Sequence, residues 1–149
     1  MTLVQIVDAA LAEAVRKAGA WIACRPGCTD CCIGSFPISD QDATRLRQGF
    51  DTLDPERAAR IRDRAVRFEE EDYCPALDPS TGLCEVYESR PVTCRTFGPA
   101  LHFPGEAIGV CELCFDGTTA EEIAACAVEI DAADDPPGEM TVAAVLATP

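Results

Sequence analysis

Ten cysteines occur among 149 residues: Cys24, Cys28, Cys31, Cys32, Cys74, Cys84, Cys94, Cys111, Cys114 and Cys126. The first three follow C-x3-C-x2-C within CRPGCTDCC, a spacing that lets one loop present several thiolates to one point. Tetrahedral zinc takes four such ligands, and so does a fully protein-ligated cubane iron-sulfur cluster, so spacing alone leaves the two open. The opening residues lack a basic stretch followed by an apolar one, and no apolar run reaches the roughly 18 residues that cross a bilayer. The reading is therefore a cytoplasmic chain without a membrane role, where thiols stay reduced and close-spaced cysteines serve first as metal ligands rather than disulfides.

Cys32 constrains the site. Adjacent side chains of an extended segment point to opposite sides, so Cys31 and Cys32 either serve two metal sites that share the loop, or one of them lies behind the ligands. The second half supplies Cys74, Cys84 and Cys94 at ten-residue intervals, then the CELC pair Cys111 and Cys114. Cys114 is left open between ligand and spare thiol. Cys126 falls inside an apolar helical stripe with Ile123 and Ile130 and reads as a small buried hydrophobe. His102 is the single histidine and reads as a solvated or core-satisfied side chain rather than a ligand. No G-x-S-x-G, phosphate loop or G-x-G-x-x-G is present, so chemistry other than redox has no visible apparatus and enzymatic activity is left open.

The segments CRPGCTDCC and CPALDPSTGLCEVYESRPVTCRTFGP together resemble the YkgJ-like cysteine-cluster family, also called the CxxCxxCC or zinc- or iron-chelating domain family. The resemblance spans residues 24–114 and is most specific where Cys74-Pro75, Leu77, Gly82, Cys84, Tyr87, Arg90-Pro91, Cys94-Arg95 and Phe97 stand in the family's order. It implies metal ligation by Cys24, Cys28, Cys31, Cys32, Cys74, Cys84, Cys94 and Cys111. The first gap is three residues where other members have two, which loosens the role of Cys24. Some members resemble flagellin lysine N-methylases, in which this region belongs to a longer chain; methyl transfer is only weakly implied here. The same three-cysteine spacing occurs in radical S-adenosylmethionine enzymes, whose repeated strand-helix barrel a chain this short and turn-rich does not build.

The charges sharpen the picture. Residues 1–67 carry 10 Lys or Arg against 9 Asp or Glu, whereas residues 68–149 carry Arg90 and Arg95 against 17 acids, and the whole chain has a formal charge of -14. A field of that sign repels phosphate backbones and excludes nucleic acid as the main partner. Arg90 and Arg95 flank Cys94, where guanidinium groups would offset the charge of bound thiolates and donate hydrogen bonds to sulfur. The competing reading pairs them with Glu85 or Glu88 at the surface.

Positioning these residues calls for one domain over 1–149, with a cysteine-cluster core at 24–114 and an acidic, proline-broken tail at 134–149. The fold class expected is α+β: a small, mainly helical domain with short hairpins and a cysteine-rich metal-binding loop region. A Thr2/Gln5 capping box opens a helix to residue 18, with Leu3, Val7, Ala10 and Ala14 on one face and Gly19 ending it. Ser39 begins a helix ending near Gly49, and Asp54-Pro55 begins another to about Glu71. The latter places Ala58, Ile61, Ala65 and Phe68 on one face and Arg57, Arg60, Arg62, Arg64 and Arg67 over much of the rest, either as a solvated face or as a docking surface for an acidic protein partner. CPALDPSTGLC reads as two short strands about a turn and LHFPGEAIGV as a second hairpin. Thr118 and Glu121 form a capping box for a helix to about Ala133, and the tail from Met140 to Ala147 forms a short helix that packs back. The functional expectation is a metal-binding cysteine-cluster protein, with an iron-sulfur cluster ahead of zinc; the alternative is a structural zinc module that mediates protein-protein interaction.

Overall fold

The computed structural model describes residues 1–131 and 135–149. Its elements are α1 (Leu3–Ala18), α2 (Asp40–Asp51), α3 (Pro55–Val66), β1 (Leu77–Asp78), β2 (Leu83–Cys84), α4 (Val92–Arg95), β3 (Leu101–His102), α5 (Ala120–Cys126), β4 (Val128–Glu129) and α6 (Val142–Ala147). This is a small α+β fold in which helices dominate and strands are two residues long. The chain packs as two compact units, Met1–Arg25 with Cys94–Asp134 and Pro26–Thr93 with Asp135–Pro149, each described in turn.

In the first unit, the Thr2 hydroxyl accepts the Gln5 amide and the Gln5 side chain accepts the Thr2 amide, which closes the expected capping box of α1. Val7, Ala10, Ala14 and Ala18 are its buried stripe. Three alanines among the four make a narrow face, so α1 lies close against α5 and the β3–β4 pair. The second predicted hairpin forms as a reciprocal pair of hydrogen bonds, 2.9 and 3.0 Å, between Leu101 and Gly109. A second core gathers Ala18, Ala100, Cys114, Phe115 and Cys126, with Trp21 beside Phe115 at 5.7 Å between ring centroids.

The last predicted helix is corrected in both start and length. The capping box is Thr119/Glu122 instead of Thr118/Glu121, and α5 ends at Cys126. From Ala127 the backbone is extended, because Val128–Glu129 pairs in parallel with β3, Leu101 opposite Val128 and His102 opposite Glu129. Ile130, expected on the helical stripe, is buried from an extended segment whose amide donates to the His102 carbonyl. Tertiary pairing thus overrides local helix propensity. The end of that expected helix and the start of the tail, residues 132–134, lie outside the described residues.

In the second unit α2, α3 and α6 enclose a core of Ile38, Leu46, Phe50, Ile61, Ala65, Ala76, Val86, Val142, Val145 and Leu146. Ser39, Asp54 and Thr141 cap the three helices through side-chain oxygens that accept the amides of Asp42, Arg57 and Ala144. The tail helix does pack back: Pro37 pairs with Thr141, and the Val142 amide donates to the Phe36 carbonyl at 3.1 Å.

α2 ends near Gly49 as expected, at Asp51. A side chain at Gly49 would stand 2.4 Å from the Ser89 Cβ, so glycine there serves close approach. One helix end differs from expectation. α3 stops at Val66 rather than near Glu71, since four successive acids, Glu69 to Asp72, oppose the negative end of a helix dipole. Asp72 instead closes a turn by accepting the Glu69 amide at 2.9 Å. Among the described residues no helix is long and apolar enough to cross a membrane.

Candidate metal centre

The cysteines divide evenly: Cys28, Cys31, Cys32, Cys74 and Cys84 belong to the second unit, and Cys24, Cys94, Cys111, Cys114 and Cys126 to the first.

In the second unit, the CRPGCTDCC loop turns between Thr29 and Cys32, whose amide donates to the Thr29 carbonyl at 2.9 Å. Because the loop turns here, Cys31 and Cys32 do not point apart as an extended pair would; their side chains hydrogen-bond to each other. That bond, together with burial and the neighbouring Cys32 charge, pushes the Cys31 thiol far above the usual thiol range. An antiparallel bridge of Ile33 with Tyr73 then brings in Cys74, whose amide donates to the Cys32 carbonyl at 2.7 Å. The predicted β1–β2 hairpin places Cys84 opposite Leu77, three residues beyond Cys74. Gly82, at φ +70°, makes the turn and packs against Gly27 and Thr29, the residues that bracket Cys28. One bridge and one hairpin therefore gather the second unit's cysteine segments.

Burial pushes the Cys74 thiol up to about 11, against amides of Ala76 and Leu77 that pull it down. Burial likewise raises Cys84, opposed by the Val86 amide and the Arg90 charge. Each sulfur therefore accepts the amide two residues ahead of it, an arrangement that favours thiolate over thiol. Arg90 lays its guanidinium 3.6 Å over the Tyr87 ring and donates from Nε to the Tyr87 carbonyl.

In the first unit, the Cys111 amide donates to the Gly98 carbonyl at 3.0 Å and the Cys114 amide to the Cys111 carbonyl at 2.9 Å. Gly98, at φ +117°, faces Cys24: a Cβ there would stand 3.8 Å from the Cys24 sulfur. The buried Cys114 sulfur accepts the Ala23 amide at 3.4 Å. Cys94 sits on the short helix α4. Cys126 is buried as expected, 3.6 Å from the Lys17 carbonyl.

Arg95 is 6% exposed, and its Nη1 lies 2.8 Å from both carboxylate oxygens of Asp8. An acid of α1 therefore pairs with it. Glu85 is held instead by Arg57 and Arg64, two side chains to which the sequence reading gave no place near the cysteines. Their i, i+7 spacing on α3 was the available signal. His102 is satisfied by the Glu106 carbonyl, 2.9 Å from Nε2, and by Glu129.

Among the described residues, no three Cys, His, Asp or Glu side chains converge tightly enough to make a ready-built metal site. The chemistry of the donor set nonetheless fits a thiophilic metal: thiols that are mostly half-buried, some receiving backbone N–H groups, on loops with few apolar residues of their own.

These observations define a cysteine-rich metal-binding α+β protein. The chain belongs to the CxxCxxCC family, described as "Putative zinc- or iron-chelating domain", whose pattern matches residues 23–126. No curated protein and no solved structure matches it.

A thiol held near 11 is protonated at neutral pH, so metal binding to Cys74 must expel that proton. Uptake of zinc in a weakly buffered solution is expected to acidify it, and affinity to rise with pH. In the metal-free chain the sign reverses. The folded state holds the Cys74 proton more tightly than the unfolded state, so stability falls as pH climbs from about 9 towards 11. Indicator-dye titration and urea melts at stepped pH read the two effects; binding without proton release would exclude Cys74 from the site.

Proposed function

We propose that this protein binds its zinc or iron through the thiolates of Cys24, Cys28, Cys31, Cys32, Cys74, Cys84, Cys94 and Cys111, in a reducing compartment such as the cytoplasm. The observation that carries this reading is the pair Cys74 and Cys84, each with a backbone amide aimed at its sulfur, on a hairpin bridged to the CRPGCTDCC loop. An iron-sulfur cluster is favoured over mononuclear zinc, because the hydrogen-bonded neighbours Cys31 and Cys32 stand on one side of a turn, where a polynuclear centre has use for adjacent thiolates. Such a cluster supplies one-electron redox chemistry or an accessory electron store. Arg90 and Arg95 offset the charge of the bound thiolates, Arg90 through its field at Cys84 and Arg95 from its buried place beside Cys94. Cys114 joins the ligands or stands behind them.

A second reading is a structural zinc module that docks a partner protein. Exposed Ile33, Tyr73, Leu83 and Tyr87, set among the second unit's cysteines, favour it. Anaerobic purification with elemental analysis separates the two. Iron, sulfide and broad visible charge-transfer absorption are expected. Colourless protein that keeps zinc through chelator washing would overturn the cluster in favour of the module, and protein that takes up neither metal would overturn both.

A further inference from the structure

The arginine-rich helix α3 carries a device that neither its charge pattern nor the family pattern assigns. Arg57, Ile61 and Arg64 follow i, i+4, i+7 spacing, so they share one face of α3, on which Ile61 is buried. Arg64 spans two chain segments at once. Its Nε donates to the Pro75 carbonyl at 2.9 Å, and its Nη2 donates to Glu85 Oε2 at 2.6 Å. Arg57 Nε approaches the other oxygen of the same carboxylate at 3.5 Å. Pro75 directly follows Cys74, and Glu85 directly follows Cys84. The Glu85 amide donates to the Ala76 carbonyl at 2.8 Å, tying the same two segments through the backbone.

We infer that Arg64 is a positioning residue for the metal centre: bonded to the residues that follow Cys74 and Cys84, it sets the spacing of their two sulfurs before metal arrives. The inference rests on the proposed ligation by these two cysteines. Its physical content is pre-organisation. Pro75 is buried and has no N–H, so its carbonyl is its one backbone polar group, and the Arg64 guanidinium satisfies it. Glu85 is nearly buried, with a side chain 11% exposed, and two cations on its two oxygens hold it in one place. A planar guanidinium reaches a carbonyl and a carboxylate together; a lysine ammonium, a single point on a flexible stem, holds one or the other.

The test uses the full chain, made metal-free and loaded anaerobically with Co2+, whose visible spectrum reports thiolate ligation. Arg64→Gln and Arg64→Lys are expected to bind Co2+ but release it to EDTA faster than wild type by about ten-fold or more, the lower end of the effect of removing a group that orients a ligand. Arg60→Gln, exposed on the same helix, is expected to release at the wild-type rate. Circular dichroism and the melting temperature of the metal-free proteins run in parallel. Should Arg64→Gln not fold, Arg64→Lys keeps the charge and decides the matter. Release at the wild-type rate, or a change confined to the metal-free melting temperature, would overturn the inference and leave the metal reading intact. Wild-type protein that takes up no Co2+ would overturn the reading itself, and the inference with it.

Discussion

Serine in place of Cys74 or Cys84 is expected to strip the protein of most of its metal and so to remove the stabilisation that bound metal adds to the second unit. A hydroxyl is a poor ligand for zinc or iron where a thiolate is a good one. If binding releases roughly 10 to 16 kcal/mol over four ligands, one thiolate accounts for roughly 3 kcal/mol, a loss of about 100-fold in affinity. The loss reaches the stability of the fold, since the CRPGCTDCC loop meets the hairpin only at the Ile33–Tyr73 bridge and where Gly82 packs on Gly27 and Thr29, among the contacts described, and has few apolar residues to hold it otherwise. Cys28→Ser, Cys31→Ser and Cys94→Ser are expected to lower metal content too. Cys126→Ser is the control: its thiol is buried among Ala18, Ala100 and Phe115 and should leave the metal stoichiometry alone. Elemental analysis and circular dichroism with and without EDTA read both effects. If all the variants kept full metal, ligation by these cysteines would be wrong.

Much of this arrangement is legible from local sequence, and most of the remainder depends on partners that are distant in the chain. Thr2 with Gln5, Ser39, Asp54 with Pro55, and the Gly82 turn between Cys74 and Cys84 carry signals complete within four or five residues, and all form as read. Val128 and Glu129 continue a plausible helix until Leu101 and His102 offer a strand to pair with. Arg95 is a cation near cysteines in the sequence, and Asp8, 87 residues away, is its partner in space. Arg57 and Arg64 appear as surface charge until the Pro75 carbonyl and the Glu85 carboxylate are placed before them. Cys31 and Cys32 differ for a local reason: the expected extended pair is instead a turn, closed by the Cys32 amide on the Thr29 carbonyl, and their side chains meet.

Leu146→Ala is expected to produce a large loss of stability by a change away from the cysteines. Leu146 is 0% exposed, lies on the tail helix α6, and belongs to the core shared by α2 and α3. Leucine-to-alanine replacements at such positions cost about 2 to 5 kcal/mol, the spread reflecting how far the surroundings close over the cavity. In a chain of this size, total stability is only of the order of 5 to 15 kcal/mol, so the metal-free variant should be partly unfolded at room temperature. Metal bound only by the folded state adds to stability by mass action, so the loaded variant should recover much of its cooperativity. The same argument makes its apparent metal affinity fall, because part of the binding energy now folds the second unit. α6 is remote in sequence from every cysteine, yet it closes the layer that carries Arg64, and through α3 it supports the Cys74–Cys84 hairpin. Urea melts with and without zinc measure the effect, with Val66→Ala, at a site 67% exposed on α3, as the control near zero. A Leu146→Ala midpoint indistinguishable from that of Val66→Ala would show that the tail helix contributes nothing to the core.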